Sequence, residues 1–436
     1  MSANPWRDPR VHALLFAGLA HAILAPTAAA QATGDEGNFS VSVGYEAEAT
    51  DNVGRDDTDT RNDVIHRPRI NLGYAQAFNR VDLSAAYRLE ARRYQRSSFS
   101  SDEVISGRSA MNVALVPGSL QWNTDHVRSE NLVDRREADR PDNRRESNTL
   151  GTGLTYQLGG TSPNQLTAQA RAELFDSNRG FDDSLRYIGS VSYRRLTSPV
   201  QSVGLTASGT KVNYDEDLVP DFDRWTVQAT FSRELRTAGF DLGVGYNEVR
   251  RSGFSNSGGL ALSADAYVEP AAGHRFTASA SRQFTDRTQA TLVGIPDFGD
   301  DREQGAADGN VFEETRFGLG YSFRRERWSY GLSLNWTDED YDTVARDTRR
   351  VGVRATVGYR ITPDLNLDFA LRGTRRDFRD ENRKDDLVAA DLRLRWDVGR
   401  RTALNFGIGY EERDSDAGGR DYTEHRAVVG ITYQLL

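Results

Sequence analysis

The sequence predicts an all-β chain closed into an antiparallel, up-and-down transmembrane β-barrel of about 20 strands, within a range of about 18–22. Three observations predict it. Apolar and polar residues alternate with period two along segments of about 10 residues or more, the length a tilted strand needs to cross a bilayer. The connections between these segments alternate between short turns and longer polar stretches. The alternation also runs into the last residues. There Ala427, Val429, Ile431, Tyr433 and Leu435 share one face, and Arg426, Val428, Gly430, Thr432 and Gln434 the other.

Composition narrows the alternatives. A chain of 436 residues is long enough for two or three soluble domains, and its mean hydropathy of -0.64 looks soluble. No run reaches the ~18 apolar residues of a membrane-spanning helix, but a barrel hides its membrane face in alternation. Tyr (17) and Phe (19) suit strands, and Gly (39) outnumbers Pro (12) as turns require. Cysteine is absent, which excludes disulfides, thiolate metal sites and a lipidated cysteine anchor. The formal charge of -9 argues against nucleic acid as a partner.

Residues 1–32 read as a secretory signal peptide. Arg7, Arg10 and His12 form its basic start, Ala13 to Ala20 open its apolar core, and Pro26 breaks the helix before a run of small residues. Residues 33–436 are the expected barrel, with strands beginning almost directly after the leader.

The first strand carries Phe39, Val41, Val43, Tyr45, Ala47 and Ala49 on one face. Next come Ile70, Leu72 and Tyr74, then Val81, Leu83, Ala85, Tyr87 and Leu89. The same period recurs from Trp225 to Phe231, Leu260 to Val268, Trp328 to Trp336, Val351 to Tyr359, Leu365 to Leu371, Val388 to Trp396 and Leu404 to Tyr410. Short turns fall at Asn79-Arg80, Pro117-Gly118-Ser119, Thr197-Ser198-Pro199, Thr237-Ala238-Gly239, Pro270 to Gly273, Thr362-Pro363-Asp364 and Gly399-Arg400. Longer connections are expected at Asp51–Asp63, Asp134–Glu146, Tyr214–Asp223, Ser252–Gly258, Asp286–Asn310, Asp338–Asp347 and Arg413–Asp421. This sorting matches a barrel with short periplasmic turns and longer external loops. In lipid an open strand edge leaves backbone groups unpaired, so the first strand must pair with the last.

Aromatic residues cluster near the short turns: Phe78, Trp122, Tyr156, Tyr193, Phe240, Phe276, Phe323, Trp328, Tyr359 and Trp396. That suits a girdle at a membrane interface. If the apolar face meets lipid, parity turns Arg88, Arg171, Arg354, Asp368, Arg372, Asp391, Arg393 and Arg395 inward. Facing lipid, an arginine at the midplane would cost about 2–4 kcal/mol. Facing a wet lumen, these charges can be solvated, paired across strands, or used to guide a polar solute. Arg354, Arg372, Arg393 and Arg395 outnumber Asp368 and Asp391 there, so a mild preference for anions is expected.

Catalysis has little to stand on. Four histidines follow the leader, His66, His126, His274 and His425, and none sits beside a serine at the spacing of a nucleophile and its base. His126 is the best candidate for a hydrolase; a strand histidine at the surface is the simpler account. Metal-ligand spacing is missing, and the acidic stretches Asp56-Asp57-Thr58-Asp59 and Asp338-Glu339-Asp340 do not follow a calcium-loop pattern. No cofactor, no metal and no enzyme activity are expected.

The ending, with Gly430, Tyr433 and Leu435, resembles the C-terminal signal by which outer-membrane barrels are recognised for insertion, although Leu435 replaces the usual final aromatic residue and one extra residue, Leu436, follows it. Together with the hairpin Met111–Trp122 around Pro117-Gly118 and the repeated strands, the chain resembles the β-barrel porins often found beside bacterial exopolysaccharide gene clusters. That resemblance implies a passive component of the outer membrane of a Gram-negative bacterium. Its implied partners are outer-membrane lipid and lipopolysaccharide, the barrel-assembly machinery, and a secreted exopolysaccharide. The first functional expectation is a porin-like passage for a polar solute or exopolysaccharide. The second is a structural or adhesive barrel whose lumen is closed and whose loops do the work.

Overall fold

The structure is a computed structural model that describes residues 38–436 apart from 135, 180–182, 216–218, 287–309 and 343. The expected signal peptide, and most of the Asp286–Asn310 connection, lie outside the described residues. Twenty strands are described. They begin with β1 (Asn38–Thr50), β2 (Asp63–Ala77), β3 (Val81–Tyr94), β4 (Asp102–Val116), β5 (Leu120–Leu132), β6 (Arg144–Leu158) and β7 (Asn164–Ser177). They continue with β8 (Ser184–Ser198), β9 (Gln201–Tyr214), β10 (Phe222–Glu234), β11 (Ala238–Arg251), β12 (Ser257–Val268), β13 (His274–Asp286) and β14 (Val311–Arg325). The last six are β15 (Trp328–Tyr341), β16 (Thr348–Thr362), β17 (Leu365–Phe378), β18 (Arg383–Asp397), β19 (Thr402–Ser415) and β20 (Tyr422–Gln434). Each pairs antiparallel with the next, and β1 pairs with β20 from Ser42↔Gln434 to Thr50↔Arg426. The chain is therefore a closed 20-stranded antiparallel β-barrel.

One parity on nearly every strand carries large apolar side chains that are exposed, such as Val351, Val353, Phe369, Leu371, Leu392, Phe406, Ile408, Val429 and Ile431. An exposed apolar surface this extensive is the band that meets lipid. The girdle residues read from the sequence lie on this outward face, joined across strands by ring contacts such as Trp328–Tyr359 at 4.3 Å and Phe276–Tyr321 at 4.8 Å. A second aromatic row, not read from the sequence, closes the other edge of the band. It includes Tyr45, Tyr87, Tyr187, Trp225, Tyr246, Phe317, Trp336 and Tyr410, with Trp225–Tyr246 at 5.6 Å and Phe317–Trp336 at 5.4 Å. Beyond this row the outward face turns to ion pairs, such as Arg93–Glu103 at 2.8 Å and Arg375–Asp386 at 2.7 Å.

That charged belt explains where sequence and structure differ. Asp338 to Tyr341 belong to β15 and Arg413 to Ser415 to β19, where the sequence suggests connections. Above the membrane band both faces are polar, so alternation stops before pairing does. Two short turns also escape the sequence reading. One spans 159–163, where Gly159 and Gly160 take positive φ of 97° and 34°. The other is Glu326-Arg327, where a glutamate with φ of 45° does the work usually given to glycine.

At the long-connection end two hairpins lean into the barrel. β4 and β5 pair only as far as Gly107↔Arg128. Above that point Glu130 shares parity with outward Trp122, yet its carboxylate accepts two bonds, of 2.6 and 2.9 Å, from inward-facing Arg92 on β3. β12 and β13 pair only as far as Leu262↔Arg282. Above it Phe284 and Val311, from β13 and β14, pack onto Val212, Phe222 and Val249 of the inner wall. Burying those apolar faces against each other draws the hairpin inward. A smaller cluster of Val53, Ile65 and Tyr94 lies on the inner wall nearer β1.

Candidate functional site

The described residues of the connection between β5 and β6, 133–134 and 136–143, form a strap across the mouth. Asn143 shapes it: its side-chain amide donates to the carbonyls of Asp134 (2.7 Å) and Ala138 (3.0 Å), while its Oδ1 accepts from the Asp134 N–H at 2.9 Å. Pro141 opens the 3-10 turn Pro141–Asn143 that returns the chain to β6. Within the strap Arg136 donates to Asp134 at 2.8 Å. Burial alone would raise the Asp134 carboxyl, but the side-chain and backbone bonds from Arg136 outweigh it and hold the group below its ordinary range.

The strap is fastened to the far wall by its main chain. The Arg136 carbonyl accepts from Arg413 of β19 (2.8 Å), Arg383 of β18 (3.1 Å) and Arg420 of the connection before β20 (3.3 Å). Asp385 in turn holds Arg413 at 2.6 Å and Arg383 at 3.3 Å. Arg136 itself reaches Glu381 at 3.0 Å, and Arg420 pairs with Glu137. Arg383 and Arg413 are almost fully buried, so each depends on these acceptors to balance its desolvation.

Arg55, in the β1–β2 connection, joins the strap to the closing seam. Its guanidinium lies 2.9 Å from Glu424, 3.3 Å from Glu411 and 3.9 Å from Asp139. Thr50 donates to Glu424 and Tyr422 to Glu411, at 2.8 and 2.7 Å. Burial works against the Arg55 charge, but Glu411, Tyr422, Glu424 and Asp139 overcome it and keep the guanidinium firmly protonated. On the other side of the mouth, Arg186 of β8 and Asp286 of β13 form a doubly bonded pair, 2.6 and 3.0 Å, with side chains 2% and 0% exposed.

Nearer the short turns the inner wall is open and polar. A rung of Thr155, Gln169, Ser190, Ser208 and Thr226 crosses β6–β10 in register. All eight charged residues that parity turns inward in the sequence lie on the inward face. Arg88 is exposed and donates to Asn71 at 2.9 Å. Arg171 pairs with Asp125 (2.7 Å) and Glu173 (2.6 Å). Arg354 stands opposite Arg372, and Arg372 reaches Glu411 at 3.6 Å. Asp368 stands opposite Arg393, Arg395 pairs with Asp397 at 2.9 Å, and Asp391 is 3.5 Å from Arg426. Gly430 lies on the inner face beside Glu46, while Tyr433 and Leu435 point outward and are exposed.

His126 sits on the outward face. Its Nδ1 is 2.7 Å from the Tyr87 hydroxyl, and that hydroxyl donates to Ser109 at 3.0 Å. Sequence reasoning missed Arg55, Glu411, Glu424 and the strap anchor. Inward parity for Glu411 and Glu424 was available from the alternation of β19 and β20. The strap anchor had no such signal, because a backbone carbonyl has no letter.

Residues 351–435, which run through β16–β20, match a family model described as "Putative beta-barrel porin 2". Compared with curated proteins, the sequence finds no match. Among solved structures the fold is similar to the FrpB iron transporter from Neisseria meningitidis (F5-1 variant), with TM-score 0.52 and 10% identity over 91% of this chain and 82% of that one. It is similar to the siderophore receptor PirA from Acinetobacter baumannii, with TM-score 0.53 and 6% identity over 92% and 81%. PirA from Pseudomonas aeruginosa gives TM-score 0.50 and 13% identity over 92% and 80%. At such identities the likeness is one of fold alone, that of a closed antiparallel β-barrel.

Proposed function

We propose that this chain is an outer-membrane pore for polar solutes, with the long-connection end facing outward and narrowed by the strap and the β13–β14 hairpin. The observation that carries this reading is the contrast within the lumen. The short-turn half is an open wall of hydroxyl, amide and charged groups, whereas the far end is bridged by side chains and one strap. A wall of Ser, Thr, Asn and Gln suits hydroxyl-rich solutes, including a secreted polysaccharide threaded as a single extended chain. The strap then sets the size limit.

A closed structural or adhesive barrel is the second reading, and the ion-paired mouth favours it. Planar-bilayer recording with the full mature chain separates the two. Steps of conductance that grow when Arg413→Ala and Arg420→Ala loosen the strap support the pore. Silence in the parent and in this double variant supports the closed barrel.

A further inference from the structure

We propose that the short-turn edge of the barrel is a binding surface for anionic phospholipid headgroups, formed by arginines that stand just beyond the aromatic girdle. The surface lies on the outside of the wall, so its partner does not depend on whether the lumen conducts. Three strands carry the same outward pattern, an aromatic ring followed two residues nearer the short turn by an arginine. They are β8 with Tyr193 and Arg195, β10 with Phe231 and Arg233, and β14 with Phe323 and Arg325. Across the ladders Arg195 stands opposite Val203, Arg233 opposite Phe240 and Arg325 opposite Trp328, all on the outward face. Each arginine is therefore on the lipid side, about 7 Å along an extended strand beyond its ring. All three are exposed, and the neighbouring turns add Arg236, Arg327, Arg400 and Arg401, exposed as well.

The two edges of the membrane band treat arginine differently. At the long-connection edge outward arginines have carboxylates beside them: Arg93–Glu103 at 2.8 Å, Arg250–Glu248 at 2.7 Å, Arg282–Glu313 at 2.5 Å and Arg375–Asp386 at 2.7 Å. At the short-turn edge none of these seven guanidiniums has a hydrogen bond or ion pair among the described residues. The acids in or beside the same turns are Glu234, Glu326, Asp364 and Asp397. Two of them are already engaged. Glu234 accepts from the Tyr267 hydroxyl, and Asp397 pairs with Arg395 at 2.9 Å. Exposed positive charge is thus left at this edge, and an anion from outside the chain can meet it.

The position of the charge selects a lipid. An arginine beside an interfacial ring keeps its stem on the apolar surface and its head at headgroup level. Guanidinium forks match phosphate oxygens two at a time. Basic clusters at a bilayer surface draw in lipids of net negative charge. A zwitterionic headgroup also carries phosphate, but it sets an ammonium beside it, which the arginine excess repels. The rings supply the apolar part of the site. Trp328–Tyr359 at 4.3 Å and Phe231–Phe240 at 5.7 Å make shelves next to Arg325 and Arg233 for glycerol and the first acyl carbons.

Native mass spectrometry on the folded, full mature chain tests this. The chain is released from detergent micelles holding equal amounts of phosphatidylglycerol and phosphatidylethanolamine with the same acyl chains. Phosphatidylglycerol should be retained in excess. Arg195→Gln, Arg233→Gln and Arg325→Gln together should lower that excess at least about fivefold, and the three matching exchanges to Lys should keep most of it. Arg400→Gln with Arg401→Gln, which touches no ladder, should lower it too. Arg93→Gln with Arg375→Gln, at the opposite edge, should leave it unchanged. Heat-modifiable migration in gels checks that each variant is folded. Equal retention of the two lipids, or an excess that survives both short-turn Gln variants, overturns the proposal. So does displacement of the lipid by soluble glycerol 3-phosphate, which would mark a site for free anions. Equal retention combined with binding of polyglutamate would assign the edge to an acidic partner chain instead.

Discussion

At the scale of single residues, the mouth is held by charges that cannot easily lose their partners. Asp286→Ala would strand the Arg186 guanidinium in a site where it is 2% exposed. The expected cost is about 3–5 kcal/mol of local stability, the usual effect of removing one member of a buried pair. Hydrogen exchange in β8 and β13 would then quicken while β16–β20 stay protected. Asp134 gives a pH dependence with a definite sign. Its carboxyl is held below the ordinary value, so it adds stability above the unfolded pKa of about 3.9. That stability is lost as pH falls through the folded value. Exchange in residues 133–143 should therefore rise below about pH 4, and Asp134→Asn should show the looser strap already at neutral pH. A strap whose exchange is the same at pH 7 and pH 3 would contradict this.

At the scale of elements, the strands were legible and the hairpins that lean inward were not. The period-two pattern from Val351 to Tyr359 or Leu404 to Tyr410 is imposed by lipid on one side and water on the other, so it reaches the sequence directly. Inward parity for Arg354 or Asp391 follows from the same alternation. Above the second aromatic row both faces are polar, and the sequence loses the distinction between strand and loop. The lean of β5 and β13 depends on ladders that end at Gly107↔Arg128 and Leu262↔Arg282. It also depends on contacts with strands far along the chain, which no local pattern encodes. If the strap limits passage, deleting residues 136–140 should raise single-channel conductance and leave heat-modifiable migration unchanged. Conductance equal to that of the parent would mean the strap lies out of the solute's path.

At the scale of the molecule, closure depends on nine residue pairs between β1 and β20. Tyr433 and Leu435 lie on the lipid side of that seam. Tyr433→Asp with Leu435→Asp places two carboxylates near the interface, at about 1 kcal/mol each or less. That alone would not unfold a barrel. If the double variant is nevertheless degraded or left in the periplasm, the ending acts as an assembly signal as well as a strand. Normal membrane levels would show that the seam needs only its ladder. Terminal sequencing of protein from the membrane fraction should find the mature chain beginning near Gln31 or Thr33, and retention of Met1 would rule out export by a cleaved leader.

The strap's hold on the far wall has a consequence for how this protein can change. Three guanidiniums grip the oxygen of a peptide bond, an atom that every residue type supplies. Exchanging the side chain at position 136 therefore removes its links to Asp134 and Glu381 and leaves the grip in place. Adding or deleting a single residue between Asn131 and Asn143 would move that oxygen out of reach altogether. Drift among variants of this protein should thus tolerate new letters in the strap far better than new lengths. Strap length would then be the inherited quantity, and aperture would change between relatives in steps of whole residues.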